Sequence, residues 1–508
     1  MGSSETRSQP VEQLRVWMAE LSDLRDAAAV LDWDQQTMMP RRGARNRAEV
    51  LATLERLTHD KFVSAQTGQL IDAAEAALNG TSPDSDEARL VRVSRRRWEK
   101  ARRVPTELAG EMAKADSIGQ DAWIRARAEN DFPAFAPYLE RNLALAREYV
   151  ACFEGFDCAY DVLLDDYEPD MKSAHVKRLF DELKAELVPL IASISEQESS
   201  IDASCLHARF PLEEQRRLVE WTVRRMGFDP EGWRLDDAVH PFATSFGSQD
   251  VRITTRWDEM YFPMSLYGAM HECGHGLYEA GVGGSLQRSP LARLESLSLH
   301  ESQSRLWENM VGRGRAFCTP LAPVIAEVSG GRIAPDEETL FRAVNRVLPS
   351  FIRVEADEAT YGLHIVLRFE LEQELVEDRL KVADLPEAWN ARYKEYLNLD
   401  VPDDRRGVLQ DVHWSSGLIG YFPTYALGNL IAGQLWERVH GDIPDLEDQL
   451  RAAELGGLRE WLRENVHRHG SKFPTTELLS RVVGGPIAVG PFLAYLKEKL
   501  SGVYGLEL

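Results

Sequence analysis

Residues 270–278 read MHECGHGLY and place His271 and His275 four positions apart, with Glu272 beside the first. On an α-helix four residues rise about 6 Å and return to nearly the same face. Two imidazoles so placed can converge on one metal ion, while Glu272 points about a quarter turn away, where it can reach a water at that ion. This is the HExxH pattern of two ligands and a base. The neighbours favour a helix: Pro263 suits a first turn, Leu266, Tyr267, Met270, Leu277 and Tyr278 supply apolar contacts, and Gly281 and Gly283 can end it.

A catalytic zinc takes three protein ligands and keeps one position for water, so a third ligand is expected downstream. The stretch LARLESLSLHESQSRLWENM, 291–310, reads as a second amphipathic helix. It carries Glu301, 26 residues after His275, far enough for a loop and a return. Glu301 is the expected ligand. Glu295 and Glu308 are the competing carboxylates, better suited to a solvated face or to orienting a ligand, and His300 points elsewhere than Glu301.

Outward from the motif, helical periodicity runs over 11–32, 45–59, 89–115, 134–164, 173–198, 212–226, 338–348, 358–382 and 386–397, so the protein is expected to be mainly α. The exception is 236–257, DDAVHPFATSFGSQDVRITTRW, where β-branched and aromatic residues alternate around Gly247. It reads as a small hairpin or sheet beside the histidine helix, with an edge able to hold an extended peptide. Turn-rich breaks fall at 79–86, 199–204, 329–336, 402–407, 441–444 and 484–491. None is long enough for a flexible linker, so one folded body over 1–508 is expected.

Composition narrows the partners. With 59 Lys and Arg against 82 Asp and Glu, a net charge of -23 argues against nucleic acid or an anionic membrane as the main partner. The most apolar long run, 417–436, is broken by Pro423, Asn429 and Gln434 and reads as a buried segment, not a membrane span. Five scattered cysteines, Cys152, Cys158, Cys205, Cys273 and Cys318, read as reduced and cytoplasmic. The opening MGSSETRSQPVEQ shows no apolar signal region.

The chain resembles the carboxypeptidase Taq family of metallocarboxypeptidases over nearly its whole length. LDWDQQTMMPRRGARNRAEVLATLERLTHD at 31–60 is similar to the family's N-terminal signature. DVRIT at 250–254, HECGH at 271–275, HESQS at 300–304, IRVEAD at 352–357 and GVLQDVHW at 407–414 match five ordered family blocks, and SSGLIGYFPTYALGN follows at 415–429. The resemblance implies a large helical zinc-peptidase fold with a central cleft, assembled as a homodimer, that removes C-terminal residues of peptides with broad tolerance. It also implies that His413 and Tyr421 or Tyr425 assist the oxyanion.

Exopeptidase action needs a receptor for the substrate's terminal carboxylate, which a guanidinium binds through a planar pair of hydrogen bonds. Arg353 is the first candidate and Arg252 the second, although Arg252 is equally a structural ion-pair partner on its strand. Arg405 and Arg406 are alternatives at a turn. Asp357, Gln410 and Asp411 are expected to orient these groups. Trp33, Asp34 and Pro40 read as fold determinants, with the helices over about 1–80 as a lid over the cleft. The metal is expected to be one divalent ion per chain, zinc first, with cobalt or manganese tolerated by a His2Glu set. Two rival readings are a zinc endo-oligopeptidase using the same residues and a non-catalytic helical scaffold.

Overall fold

A computed structural model describes residues 8–195, 197 and 200–507. Met1–Arg7 of the opening stretch, and Ser199 at the start of one expected turn, lie outside the described residues. The chain divides into two compact units, each assembled from separate stretches: residues 1–103, 209–295 and 448–482 form the first, and 104–208, 296–447 and 483–508 the second.

In the first unit four N-terminal helices, Gln9–Thr37, Ala44–Val63, Ala65–Ala76 and Asp86–Arg103, bury Leu14, Met18, Phe62, Ile71, Val91 and Trp98 against one another. A three-stranded sheet follows: β1 (Trp233–Asp237), β2 (Ala243–Ser245) and β3 (Val251–Thr255). The strand order is β1-β3-β2, with β3 parallel to β1 and antiparallel to β2. The hairpin expected around Gly247 is β2–β3, and Gly247 adopts a φ of 120°, which suits a residue without Cβ. DVRIT is therefore the middle strand, hydrogen-bonded on both sides, and cannot be the edge that accepts a peptide; β1 and β2 are the outer strands.

The sheet backs the helix Pro263–Ala280. Thr255 Oγ1 donates to the Ser265 carbonyl at 3.0 Å. A Cβ on Gly276 would lie 2.6 Å from the Trp233 ring and 2.9 Å from Val251 Cγ1. Glycine next to His275 thus lets the helix lie directly on β1 and β3, which fixes the rotation of the histidine face.

The second unit is all helical among its described residues. Its central element, Glu358–Val376, is buried on nearly every side. Along it Thr360, His364, Arg368 and Glu372 form a polar line at four-residue spacing, each at most 1% exposed. The run expected over 89–115 is interrupted at Val104–Pro105, because proline disfavours the helical conformation of the residue before it. The run expected over 134–164 splits into Phe132–Val150 and Ala159–Leu164, with Gly155 at a φ of 87° in the turn between them. The apolar segment 417–436 supplies much of the helix Pro423–Asp442. Among the described residues no helix is long and apolar enough to cross a membrane.

Candidate metal centre

The histidine helix opens with Pro263 in its first turn and stops at Gly281, where a Cβ would collide with His467 at 2.5 Å. His271 and His275 lie on one face, their ring centroids 4.8 Å apart and their planes at 84°. Glu272 is buried, 7% exposed. Cys273, also buried, has its thiol pushed well up by desolvation.

Glu301 sits in the helix Leu297–Arg305, which begins at the N-cap Ser296 and runs into a wide π turn at Leu306–Gly312. Leu291–Glu295, expected to be helical, instead form a short 3-10 turn and a loop. Glu301 is 6% exposed, and its carboxylate accepts Arg305 Nε at 2.7 Å and Ser304 Oγ at 3.2 Å. Gly428, in the helix Pro423–Asp442, lets this segment close in, since a Cβ there would lie 2.8 Å from Glu301 Cβ and Cγ.

Among the described residues, one group of potential ligands stands out: His271, His275 and Glu301, whose ligand atoms all lie within 4.8 Å of one another. Two imidazole nitrogens and a carboxylate oxygen are the donor set of a catalytic divalent metal. The rival carboxylates are engaged elsewhere. Glu295 pairs with Arg97 and with Arg96 at 3.6 Å, and Glu308 with Arg305 at 3.3 Å and Arg313 at 3.0 Å.

The remaining candidates of the second unit gather around Asp411. Arg353, 6% exposed, gives Nε and Nη2 to Asp411 Oδ1 at 3.0 and 2.9 Å and Nη1 to the Tyr361 hydroxyl at 3.1 Å. Arg368 grips the other oxygen from Nε at 2.7 Å and Nη2 at 2.6 Å. Burial alone would raise the Asp411 carboxyl, but the two guanidiniums overcome it and hold the group well below the usual carboxylate range. Gln410 accepts the Arg353 N–H at 2.9 Å, and Asp357 caps the central helix.

His413 packs on Phe422 at 4.4 Å and shares a 3.1 Å hydrogen bond between Nε2 and the Tyr425 hydroxyl. Burial, then the charge of Arg353, pushes its pKa down to about 3, so the ring is neutral near pH 7. Its Nδ1 is buried with no hydrogen-bond partner among the described residues. Tyr421 and Tyr425 lie 5.3 Å apart by ring centroid, and burial raises both hydroxyls, which remain protonated donors.

Arg252 belongs to the first unit, bonded to Asp250 at 3.0 Å and stacked over Trp33 at 4.1 Å. That is the ion-pair role on the strand. Trp33 and Asp34 also hold structure, Asp34 through Arg47 at 2.6 Å. Arg405 and Arg406 serve the backbone and a neighbour: Arg405 donates to the carbonyls of Arg127 and Ala128 at a helix end, and Arg406 pairs with Asp403.

Glu372 was not visible as a site residue in the motifs. It accepts the Tyr160 hydroxyl at 2.6 Å, Trp414 Nε1 at 2.8 Å and the Gly420 N–H at 3.1 Å, tying down both ends of the turn that follows His413 and leads to Tyr421. Desolvation outweighs these bonds and the nearby Arg368, and pushes its carboxyl up from 4.5 to about 7. A raised folded pKa means that its stabilising contribution is complete below about 4.5 and is lost as pH rises through about 7. Glu372→Gln, which cannot ionise, is expected to flatten the fall in stability between pH 5 and 8 by up to about 3 kcal/mol. Urea unfolding at both pH values measures it; identical pH slopes for the two proteins would contradict the assignment.

Residues 13–500 match the model of the carboxypeptidase Taq (M32) metallopeptidases. The chain is 40% identical to thermostable carboxypeptidase 1 of Thermus thermophilus, over 97% of this chain and 99% of that one. It is 35% identical to carboxypeptidase 1 of Bacillus subtilis, covering 96% and 97% respectively. The fold is similar to the crystal structure of an M32 carboxypeptidase from Deinococcus radiodurans R1, with a TM-score of 0.94 and 38% identity over 98% of this chain and 100% of that one.

Proposed function

This chain belongs to the carboxypeptidase Taq (M32) family of metallopeptidases and is a metallocarboxypeptidase, and we propose that it hydrolyses the C-terminal bond of peptides with broad side-chain tolerance, with Glu272 as general base. The observation that carries the site assignment is the convergence of His271, His275 and Glu301. These three hold the divalent metal that the family requires, and zinc suits two imidazoles and a carboxylate best, with cobalt or manganese as substitutes. When bound, such an ion polarises the scissile carbonyl and makes a water acidic near neutral pH.

The chain's own groups do the rest. Glu272 takes the proton of the attacking water and delivers it to the departing amine. With the Tyr425 hydroxyl donating to His413 Nε2, the ring proton sits on Nδ1, which has no hydrogen-bond partner among the described residues; that N–H and the hydroxyl of Tyr421 donate to the developing oxyanion. Arg353 receives the terminal carboxylate, sharing its guanidinium with Asp411 and Tyr361. Arg252, occupied by Asp250 and Trp33, supports the strand.

Mass spectrometry of products from a defined peptide tests the reaction. Successive loss of single C-terminal residues, abolished by a chelator and by C-terminal amidation, is expected. Internal cuts that ignore amidation would establish the endo-oligopeptidase instead. We also place the chain in the cytoplasm, on the support of five free cysteines, and as a homodimer, on the support of the family resemblance; sedimentation measures the latter.

A further inference from the structure

Glu168 follows the short helix Ala159–Leu164 and is 0% exposed. Its carboxylate accepts Ser296 Oγ at 2.7 and 2.9 Å and the Ser298 N–H at 3.2 Å, and Ser298 Oγ makes a further short bond to it. One residue earlier, the Tyr167 carbonyl accepts the Leu297 N–H at 3.0 Å. Ser296 Oγ itself accepts the Leu299 N–H at 3.0 Å. The first N–H groups of the helix that carries Glu301, which no helix can satisfy internally, are therefore assigned one by one: Leu297 to Tyr167, Ser298 to Glu168, Leu299 to Ser296.

A serine N-cap alone suffices to start a helix. A second, fully buried carboxylate there bears a desolvation penalty that a solvent-facing cap would avoid. What it adds is geometry: two serine hydroxyls and one amide converging on a single carboxylate fix both the rotation and the axial position of the helix, and Glu301 lies one turn further on. Arg305 Nε also donates to the Glu301 carboxylate at 2.7 Å, and the missing Cβ of Gly428 leaves the room that Glu301 Cβ and Cγ need. The Tyr167 ring also packs against Tyr421 at 5.1 Å, so one two-residue segment braces both the Glu301 helix and an oxyanion candidate.

We propose that Glu168, through Ser296 and Ser298, is a positioning residue that sets the Glu301 carboxylate for metal capture. The inference rests on Glu301 being a metal ligand, and the test separates the two. Metal-free protein is titrated with Zn2+ against a chromophoric chelator, with no peptide present. Glu168→Gln keeps the shape but removes the charge and one acceptor, and is expected to weaken zinc binding by about 10- to 100-fold. Glu358→Gln, which strips Lys499 of its 2.7 Å buried partner, is expected to lower the unfolding midpoint while zinc affinity stays within about twofold, so loss of stability alone does not mimic the effect. If Glu168→Gln fails to fold, the double change Ser296→Ala and Ser298→Ala, which leaves the carboxylate in place, is expected to weaken zinc binding by about tenfold. Binding within about twofold of the parent in Glu168→Gln, or in the double serine variant where Glu168→Gln does not fold, would overturn the proposal. A parent chain that takes up no zinc, cobalt or manganese would overturn the metal reading beneath it.

Discussion

Glu272→Gln is expected to retain one divalent ion per chain and to lose about 10³-fold in kcat/KM, about 4 kcal/mol of transition-state stabilisation. The amide has the size and shape of the carboxylate, so the buried position on the histidine helix is filled and His271 and His275 keep their places. What the amide lacks is a basic oxygen. The loss should therefore fall on kcat more than on KM, because the substrate contacts made before proton transfer are unchanged. Metal analysis and steady-state kinetics on the same preparation measure it. Turnover within tenfold of the parent, with metal retained, would remove Glu272 from the role of base.

Asp411→Asn is the corresponding test of the scaffold. The carboxylate is the shared counter-charge of Arg353 and Arg368, which are 6% and 0% exposed. Neutralising it leaves two buried guanidiniums without their shared counter-charge. Breaking a buried pair from one side costs about 3–5 kcal/mol, and this substitution is expected at or above that range, read from the urea midpoint at pH 7. Arg368→Met added to Asp411→Asn should recover part of the loss, since it removes one of the stranded charges. The acid response follows from the same geometry. Because the folded-state pKa is depressed, the contribution of Asp411 is present above the ordinary carboxylate range and is lost as pH falls below it, the reverse of Glu372. An Asp411→Asn protein as stable as its parent would show that the two arginines find compensation elsewhere.

The grouping of His271, His275 and Glu301 was legible in the chain because these are rare types at helical spacing: the histidine step in MHECGHGLY and the carboxylate in HESQS carry chemistry that few other patterns share. Glycine punctuation and proline carried much of the fold as well, as at Pro263 and Gly281. Other features had no local signature. Glu372 sits in ELEQEL, which reads as a solvated helical face until the helices around it are in place; only its four-residue spacing from Thr360, His364 and Arg368 hinted that this polar line is internal. Glu168, in DDYEPD, gains its role from serines 128 and 130 residues away, a distance over which no sequence period operates. The arginines are hard to rank from sequence for a related reason. Residue type alone cannot tell a guanidinium that meets substrate from one that caps a helix, as Arg405 does, or grips its own strand, as Arg252 does.

Anomalous diffraction at the zinc edge, from crystals of zinc-loaded protein, reaches the central claim most directly. The account predicts one strong peak per chain, about 2.0–2.2 Å from a ring nitrogen of His271, a ring nitrogen of His275 and an oxygen of Glu301. A peak bound by other side chains, or one with Glu301 turned away from it, would contradict the account.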